Sequence, residues 1–208
     1  ANCSTAMTQN LADQIAEAAQ ALRNGQPVVL PTDTVYGVAV LPTNRQAVAD
    51  LFARKGRDFT QPLALLVADL NQAQNLTIED GMPSEVTDFW PGPLTVLVAR
   101  RPDDGLHLGD SPATIGVRCP NHRLVQALAA EVGPLAVTSA NQSGQPTPTE
   151  AAAAGQALGG GLLVIDGGPC AGQASTLVDC TKTPATVLRQ GEITKEALQA
   201  AGLALSDG

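Results

Sequence analysis

Short apolar runs rich in β-branched residues recur along this chain, each stopped within a few positions by Gly, Pro or a polar cluster. They fall at 28–30, 35–40, 63–67, 94–99, 114–118 and 135–138, then near 162–165, 176–179 and 185–188. Runs of this kind predict buried strands. Between some of them lie stretches with helical spacing. In 10–23 the residues Leu11, Ile15, Ala18, Ala19 and Leu22 form one apolar face, and Gly25 marks the stop. In 44–55 Asn44 is placed to cap, Val48, Leu51 and Phe52 face inward, and Gly56 ends the helix. Further helices are expected near Asp69, over 83–90, over 121–131, after a Thr149 cap, and over 194–201. Strands and helices do not alternate strictly. That order predicts an α/β single domain built on a twisted mixed β-sheet flanked by helices, not a doubly wound parallel sheet.

The chain has 208 residues, 44% of them apolar, enough for one sizeable core. Residues 9–208 are therefore expected to form one domain. The polar start, 1–8, with Met7 inside it, reads as a flexible tail added ahead of the native start.

Twenty acidic and twelve basic side chains leave a formal charge of −8, so no global footprint for nucleic acid or an anionic membrane exists. An anionic ligand must be met by a local group of cations. Three Phe, one Tyr and one Trp are too few for a base-stacking platform. Cys3, Cys119, Cys170 and Cys180 make no Cys-x-x-Cys pair, and His107 and His122 are the only imidazoles, so no protein-held metal site is expected. The thiols read as reduced, with Cys119 and Cys180 as small core fillers. No apolar stretch is long enough to span a membrane and no secretory leader is visible, which predicts a cytoplasmic protein. Neither Gly-x-Gly-x-x-Gly nor a P-loop is present.

Seven of the twelve cations sit in short stretches: Arg54, Lys55 and Arg57; Arg118 and Arg123; Arg189; and, less tightly, Lys195. Arg54 and Lys55 also suit the carboxyl end of a helix. Lys55 and Arg57 would diverge on a continuous helix, but Gly56 lets the backbone leave it, so both heads can turn toward one ligand. An ammonium beside a forked guanidinium suits a triphosphate. Ser139-Ala140-Asn141 follows an apolar strand, where open α/β sheets place ligands. Arg118 and Arg189 each close a strand, a position where the ordinary reading is a snorkelling surface residue. His122 reads as structural or exposed, and no Ser-His-Asp or Cys-His order stands out.

The order of the motifs is more informative than any one of them. Pro31-Thr32-Asp33-Thr34-Val35-Tyr36-Gly37 is followed by Lys55-Gly56-Arg57 with Gln61-Pro62-Leu63, then Trp90-Pro91-Gly92-Pro93-Leu94-Thr95 and Val117-Arg118-Cys119-Pro120. Ser139-Ala140-Asn141, Ser175-Thr176-Leu177-Val178-Asp179 and Leu188-Arg189-Gln190-Gly191 complete the series. Over residues 9–202 this order closely resembles the YrdC/Sua5 family of threonylcarbamoyl-AMP synthases. The resemblance implies a YrdC-like domain that makes L-threonylcarbamoyladenylate and pyrophosphate from L-threonine, bicarbonate and ATP with Mg²⁺. The product would pass to a tRNA-modifying transferase complex, for position 37 of tRNA, so tRNA is only an indirect partner. It further implies that Lys55 and Arg57 are catalytic and that Gln61, Thr114, Ser139, Asn141, Thr147 and Arg189 join them around ATP. Thr34, Arg118, Val137 and Ser175 would contact threonine. Two positions depart from the pattern: Asp58 stands where many members have Pro, and Leu66 near a position where some have His. Ending at Gly208, the chain resembles the short, single-domain type. An RNA-binding module of the same fold, or carbamoyl-phosphate-dependent transfer, are the alternative activities.

Overall fold

The computed structural model describes residues 2–110 and 113–206, with side chains from Asn10 onward. Nine strands form one sheet: β1 (Val28–Leu30), β2 (Gly37–Val40), β3 (Ala64–Leu66), β4 (Leu94–Ala99), β5 (Thr114–Arg118), β6 (Leu135–Ser139), β7 (Leu163–Val164), β8 (Thr176–Asp179) and β9 (Thr186–Arg189). Their spatial order is β7-β1-β2-β6-β3-β5-β4-β8-β9. The β7–β1, β3–β5 and β4–β8 pairs are parallel and the rest antiparallel, so the sheet is mixed, as its irregular strand–helix order predicts.

Among the described residues the α-helices are α1 (Asn2–Arg23), α2 (Arg45–Lys55), α3 (Leu70–Gln74), α4 (Arg123–Val132), α5 (Ala151–Ala157) and α6 (Lys195–Ala200). The 83–90 segment forms a 3₁₀ helix, Ser84–Phe89. The caps explain most boundaries. Asn44 accepts from the Ala47 N–H at 3.0 Å, and Gly56 closes α2 in the left-handed region at φ 59°. Thr194 caps α6 and Asp69 caps α3 in the same way.

Two sequence expectations change, one in its bounds and one in its cap. Helix α1 spans Asn2–Arg23 where 10–23 was expected; no Gly or Pro interrupts the chain before Gly25. Glu150, not Thr149, is the N-cap of α5, and it makes no side-chain cap bond.

The registers show what covers the sheet. On one face lie Leu30, Ala39, Leu66, Leu135 and Val137, which pack with Leu124, Val125 and Leu128 of α4 and Ala18, Ala19 and Leu22 of α1. The opposite face carries Val29, Val38, Leu65, Val96, Val117 and Val178 against Val48, Leu51 and Phe52 of α2 and Leu198 of α6. Helices α1 and α4 cover only part of the first face. Toward β5, β4 and β8 the same face stays open, and there the cleft lies.

Candidate active site

Side chains alternate across a strand, so positions two apart share a face. On the open face this alternation brings together Ala64 and Leu66 of β3, Gly116 and Arg118 of β5, Thr95 and Leu97 of β4, and Val137 and Ser139 of β6, with Ser175 and Leu177 beside β4. They floor a cleft of about 480 Å³. Gly116 keeps the floor low, because it places no side chain between Thr95 and Ala64.

Arg57, Arg118 and Arg189 enter this one cleft from three elements. Arg57 follows the left-handed Gly56, so its side chain turns off the α2 axis. Its Nε–H donates to the Gln61 carbonyl at 2.7 Å, and the Nη atoms donate to the Pro62 carbonyl at 3.1 Å and to Thr138 Oγ1 at 3.4 Å. Arg118 is 5% exposed. It is therefore no snorkelling surface residue: its Nε donates to the Gly92 carbonyl at 3.0 Å, Nη1 to Thr34 Oγ1 at 2.8 Å, and Nη2 to Asp33 Oδ1. Burial pushes the guanidinium pKa down while Asp33 opposes that shift. Arg189 stands at the rim, its Nε donating to the Ser175 carbonyl at 3.0 Å.

Lys55 lies under the wall of the cleft, 2% exposed. Its ammonium donates to the carbonyls of Ser139 and Asn141, the latter at 2.7 Å, and so ties down the turn after β6. Burial, helped by the neighbouring Arg57 charge, lowers its pKa from 10.5 to about 8.

Among the described residues no carboxylate pairs with Lys55, Arg57 or Arg189, whereas Arg23, Arg100 and Arg118 each have one, in Glu131, Asp104 and Asp33. In a chain of net charge −8, this leaves a concentrated and uncompensated positive field at one place. A second hollow of about 440 Å³, around Arg100 and Asp104, lacks that property, since Arg100 Nε donates to Asp104 at 2.7 Å.

From the expected ATP set, Arg57, Gln61, Ser139, Thr147 and Arg189 line the cleft, as do Thr34, Arg118, Val137 and Ser175 from the expected threonine set. Lys55, Thr114 and Asn141 do not line it. Thr114 continues the cleft face of β5, two residues before Gly116. Asn141 is buried, its Nδ2 donating to the carbonyls of Gln142 and Gln145, while its Oδ1 has no partner among the described residues. Asp58 is turned toward Thr60, accepting from its N–H at 2.8 Å and its hydroxyl at 2.7 Å, and so stays off the cleft. Leu66 is part of the lining. Sequence reasoning missed Thr95, Thr138 and Asp33 as parts of the site. Thr95 was visible within Trp90–Thr95 only as part of a motif, because the facing side of β4 cannot be assigned without its partners.

The sequence matches the family model Sua5_yciO_yrdC, described as "Telomere recombination", over residues 20–191. That span is most of the chain. The chain belongs to the Sua5/YciO/YrdC family. It is 42% identical over 183 residues to a Mycobacterium leprae protein provisionally named a threonylcarbamoyl-AMP synthase, covering 86% of this chain and 83% of that protein. It is 38% identical over 193 residues to the Bacillus subtilis threonylcarbamoyl-AMP synthase, covering 90% of this chain and 56% of that one. Among solved structures, Pyrococcus abyssi Sua5 complexed with L-threonine superposes with a TM-score of 0.83 at 33% identity, over 92% of this chain and 58% of that one. Escherichia coli YciO, with a TM-score of 0.75 and 22% identity over 86% of this chain and 89% of its own, shares the fold. The family match gives the mixed sheet its place among known folds, and the motif order that suggested the Sua5/YrdC group is confirmed.

Proposed function

We propose that the cleft joins L-threonine, bicarbonate and ATP into L-threonylcarbamoyladenylate, releasing pyrophosphate. The carrying observation is the convergence of Arg57 and Arg189 on one cleft, with Lys55 beneath it, all without a carboxylate partner among the described residues of a strongly acidic chain. Such a field suits a polyanion. The names of the relatives and the L-threonine complex of Pyrococcus abyssi Sua5 support the same reading.

In this reading the amine of threonine loses its proton and adds to bicarbonate, with loss of water, to give a carbamate. A carbamate oxygen then attacks the α-phosphorus of ATP, and the bond to the β,γ-diphosphate breaks. No side-chain nucleophile is needed. Thr34, Arg118, Val137 and Ser175 hold the amino acid. Arg57, Gln61, Ser139, Thr147 and Arg189 hold the nucleotide, with Thr114 at the end of the floor. Lys55 and Asn141 act from beneath by fixing the turn that presents Ser139. The rate gain comes from orientation and from neutralising charge that builds on the phosphates.

Mg²⁺ fits as a companion of ATP. Among the described residues no group of three or more His, Cys, Asp or Glu side chains is placed to hold a metal. The neutral oxygens of Ser139 and Thr147 in the cleft suit an ion already held by phosphate oxygens and water. When bound, it would offset phosphate charge. The product would serve a downstream tRNA-modifying transferase, without direct contact of this chain with tRNA. No described helix is long and apolar enough to cross a membrane, and we place the reaction in the cytoplasm.

Pyrophosphate release by the purified chain is the test. It should require threonine and bicarbonate together; equal rates without threonine would overturn the reading.

A further inference from the structure

The two sides of Arg118 differ in chemistry. On the β3 side, Leu66 pairs with Arg118, and Val137 of β6 stands diagonally beside Leu66, because Ala64 pairs with Val137 and Leu66 with Leu135. On the other side, β4 and the start of β8 bring the hydroxyls of Thr95 and Ser175 to the cleft. A small amino acid whose carboxylate is held by Arg118 thus has hydrocarbon beside it only toward Leu66 and Val137, and an apolar substituent on its β-carbon goes there.

The space available at that wall depends on a residue that makes no side-chain contact at all. Gly37 of β2 pairs with Ser139, and Ala39 pairs with Val137, so Gly37 and Val137 are diagonal neighbours on one face; both line the cleft. A Cβ at position 37 would stand 2.7 Å from Val137 Cγ1 and 3.5 Å from the Thr138 carbonyl oxygen. The second contact is ordinary, whereas two carbons settle at about 3.5–4.0 Å. Gly37 is not among the glycines with positive φ, so its backbone does not demand glycine. The demand is for space. Val137 lays one methyl group over Gly37, where any other residue would place its own side chain. With Ala39, Leu66 and Leu135 buried around it, a displaced Val137 methyl has one open direction, the cleft.

We propose that Gly37 is a specificity-determining residue: it draws Val137 down against β2 and so leaves room beside Arg118 for the β-methyl group of the amino-acid substrate. The inference rests on the reading that the cleft takes L-threonine at Arg118 and Val137. Substituting Gly37 by alanine turns the valine methyl into the place of the substrate methyl.

Steady-state pyrophosphate release with L-threonine and with L-serine, which lacks the methyl group, tests this in wild type, Gly37→Ala, Val137→Ala and the double variant. L-Serine is also measured as a competitive inhibitor of the threonine reaction, so its affinity is read even where its turnover is slow. In Gly37→Ala the affinity ratio of threonine over serine should fall at least about fivefold through a higher threonine KM, with the KM for ATP within about twofold of wild type. The double variant should match Val137→Ala within about twofold, because alanine at 137 has no γ-methyl to displace. An unchanged ratio in Gly37→Ala, equal losses for both amino acids, or a further loss when Gly37→Ala is added to Val137→Ala would overturn the proposal. So would a Gly37→Ala chain that fails to fold and is not rescued by Val137→Ala. A wild-type chain that releases no pyrophosphate with threonine would instead overturn the activity on which the proposal rests, and the proposal with it.

Discussion

Lys55→Met keeps a long apolar stem and removes only the ammonium, so it separates the part Lys55 plays in folding from its part in turnover. Two charge-assisted hydrogen bonds, to the Ser139 and Asn141 carbonyls, are lost, together about 3–6 kcal/mol. Against this, burial and Arg57 hold the ammonium at a pKa of about 8 instead of 10.5, and removing the charge relieves roughly 3 kcal/mol at about 1.36 kcal/mol per tenfold. Folding free energy should therefore drop by no more than about 3 kcal/mol, read by urea unfolding. Turnover has no such offset. The turn presenting Ser139 loses its tether, and the field around the cleft loses the charge that lies beneath its wall. We expect kcat/KM for ATP, from pyrophosphate release at saturating threonine and bicarbonate, to fall at least about 100-fold, or about 2.7 kcal/mol. A value within about threefold of wild type would refute the placement of Lys55.

Three further outcomes follow from the same geometry. A Cβ at Gly116 would meet Thr95 Cγ2 at 3.6 Å and Ala64 Cβ at 3.7 Å, ordinary contacts, so Gly116→Ala should fold normally yet raise the KM for ATP about threefold by raising the floor; an unchanged KM would move the nucleotide elsewhere. With the folded Lys55 pKa at about 8, kcat/KM for ATP should hold below that pH and decline above it, as the free enzyme loses the charge. The linkage for stability has the opposite sign: between that value and 10.5 the unfolded chain binds the extra proton, so the contribution of Lys55 to folding stability rises with pH in that window; a flat rate profile from pH 7 to 9.5 would contradict the role given to this charge. Asp58→Ala should leave the KM for ATP within about twofold of wild type, because Thr60 holds that carboxylate away from the cleft; a several-fold lower KM would show that it repels the phosphates.

The strands were legible in the sequence because each is a short buried run with its own stop signal, and α2 because Asn44 and Gly56 both act as caps. The sheet order was not, since pairings such as β4 with β8 join segments far apart in sequence, and no local residue records them. The site was legible as an ordered series of motifs, not as geometry. Arg118 looks like any strand-ending arginine until Asp33 and Thr34 arrive from another loop to bury it. Lys55 was expected at the phosphates, but its ammonium serves the Ser139 and Asn141 carbonyls, which only the fold brings within reach. Thr95 shows the same limit: a threonine in a strand signals nothing until Ser175 is placed opposite it.

Mass spectrometry of the product formed by the purified chain with Mg-ATP, L-threonine and isotopically labelled bicarbonate tests the central claim most directly. A threonylcarbamoyl-AMP adduct carrying the label, absent when threonine is omitted, is the predicted result. Nucleotide left as ATP, or AMP released without a labelled adduct, would contradict it.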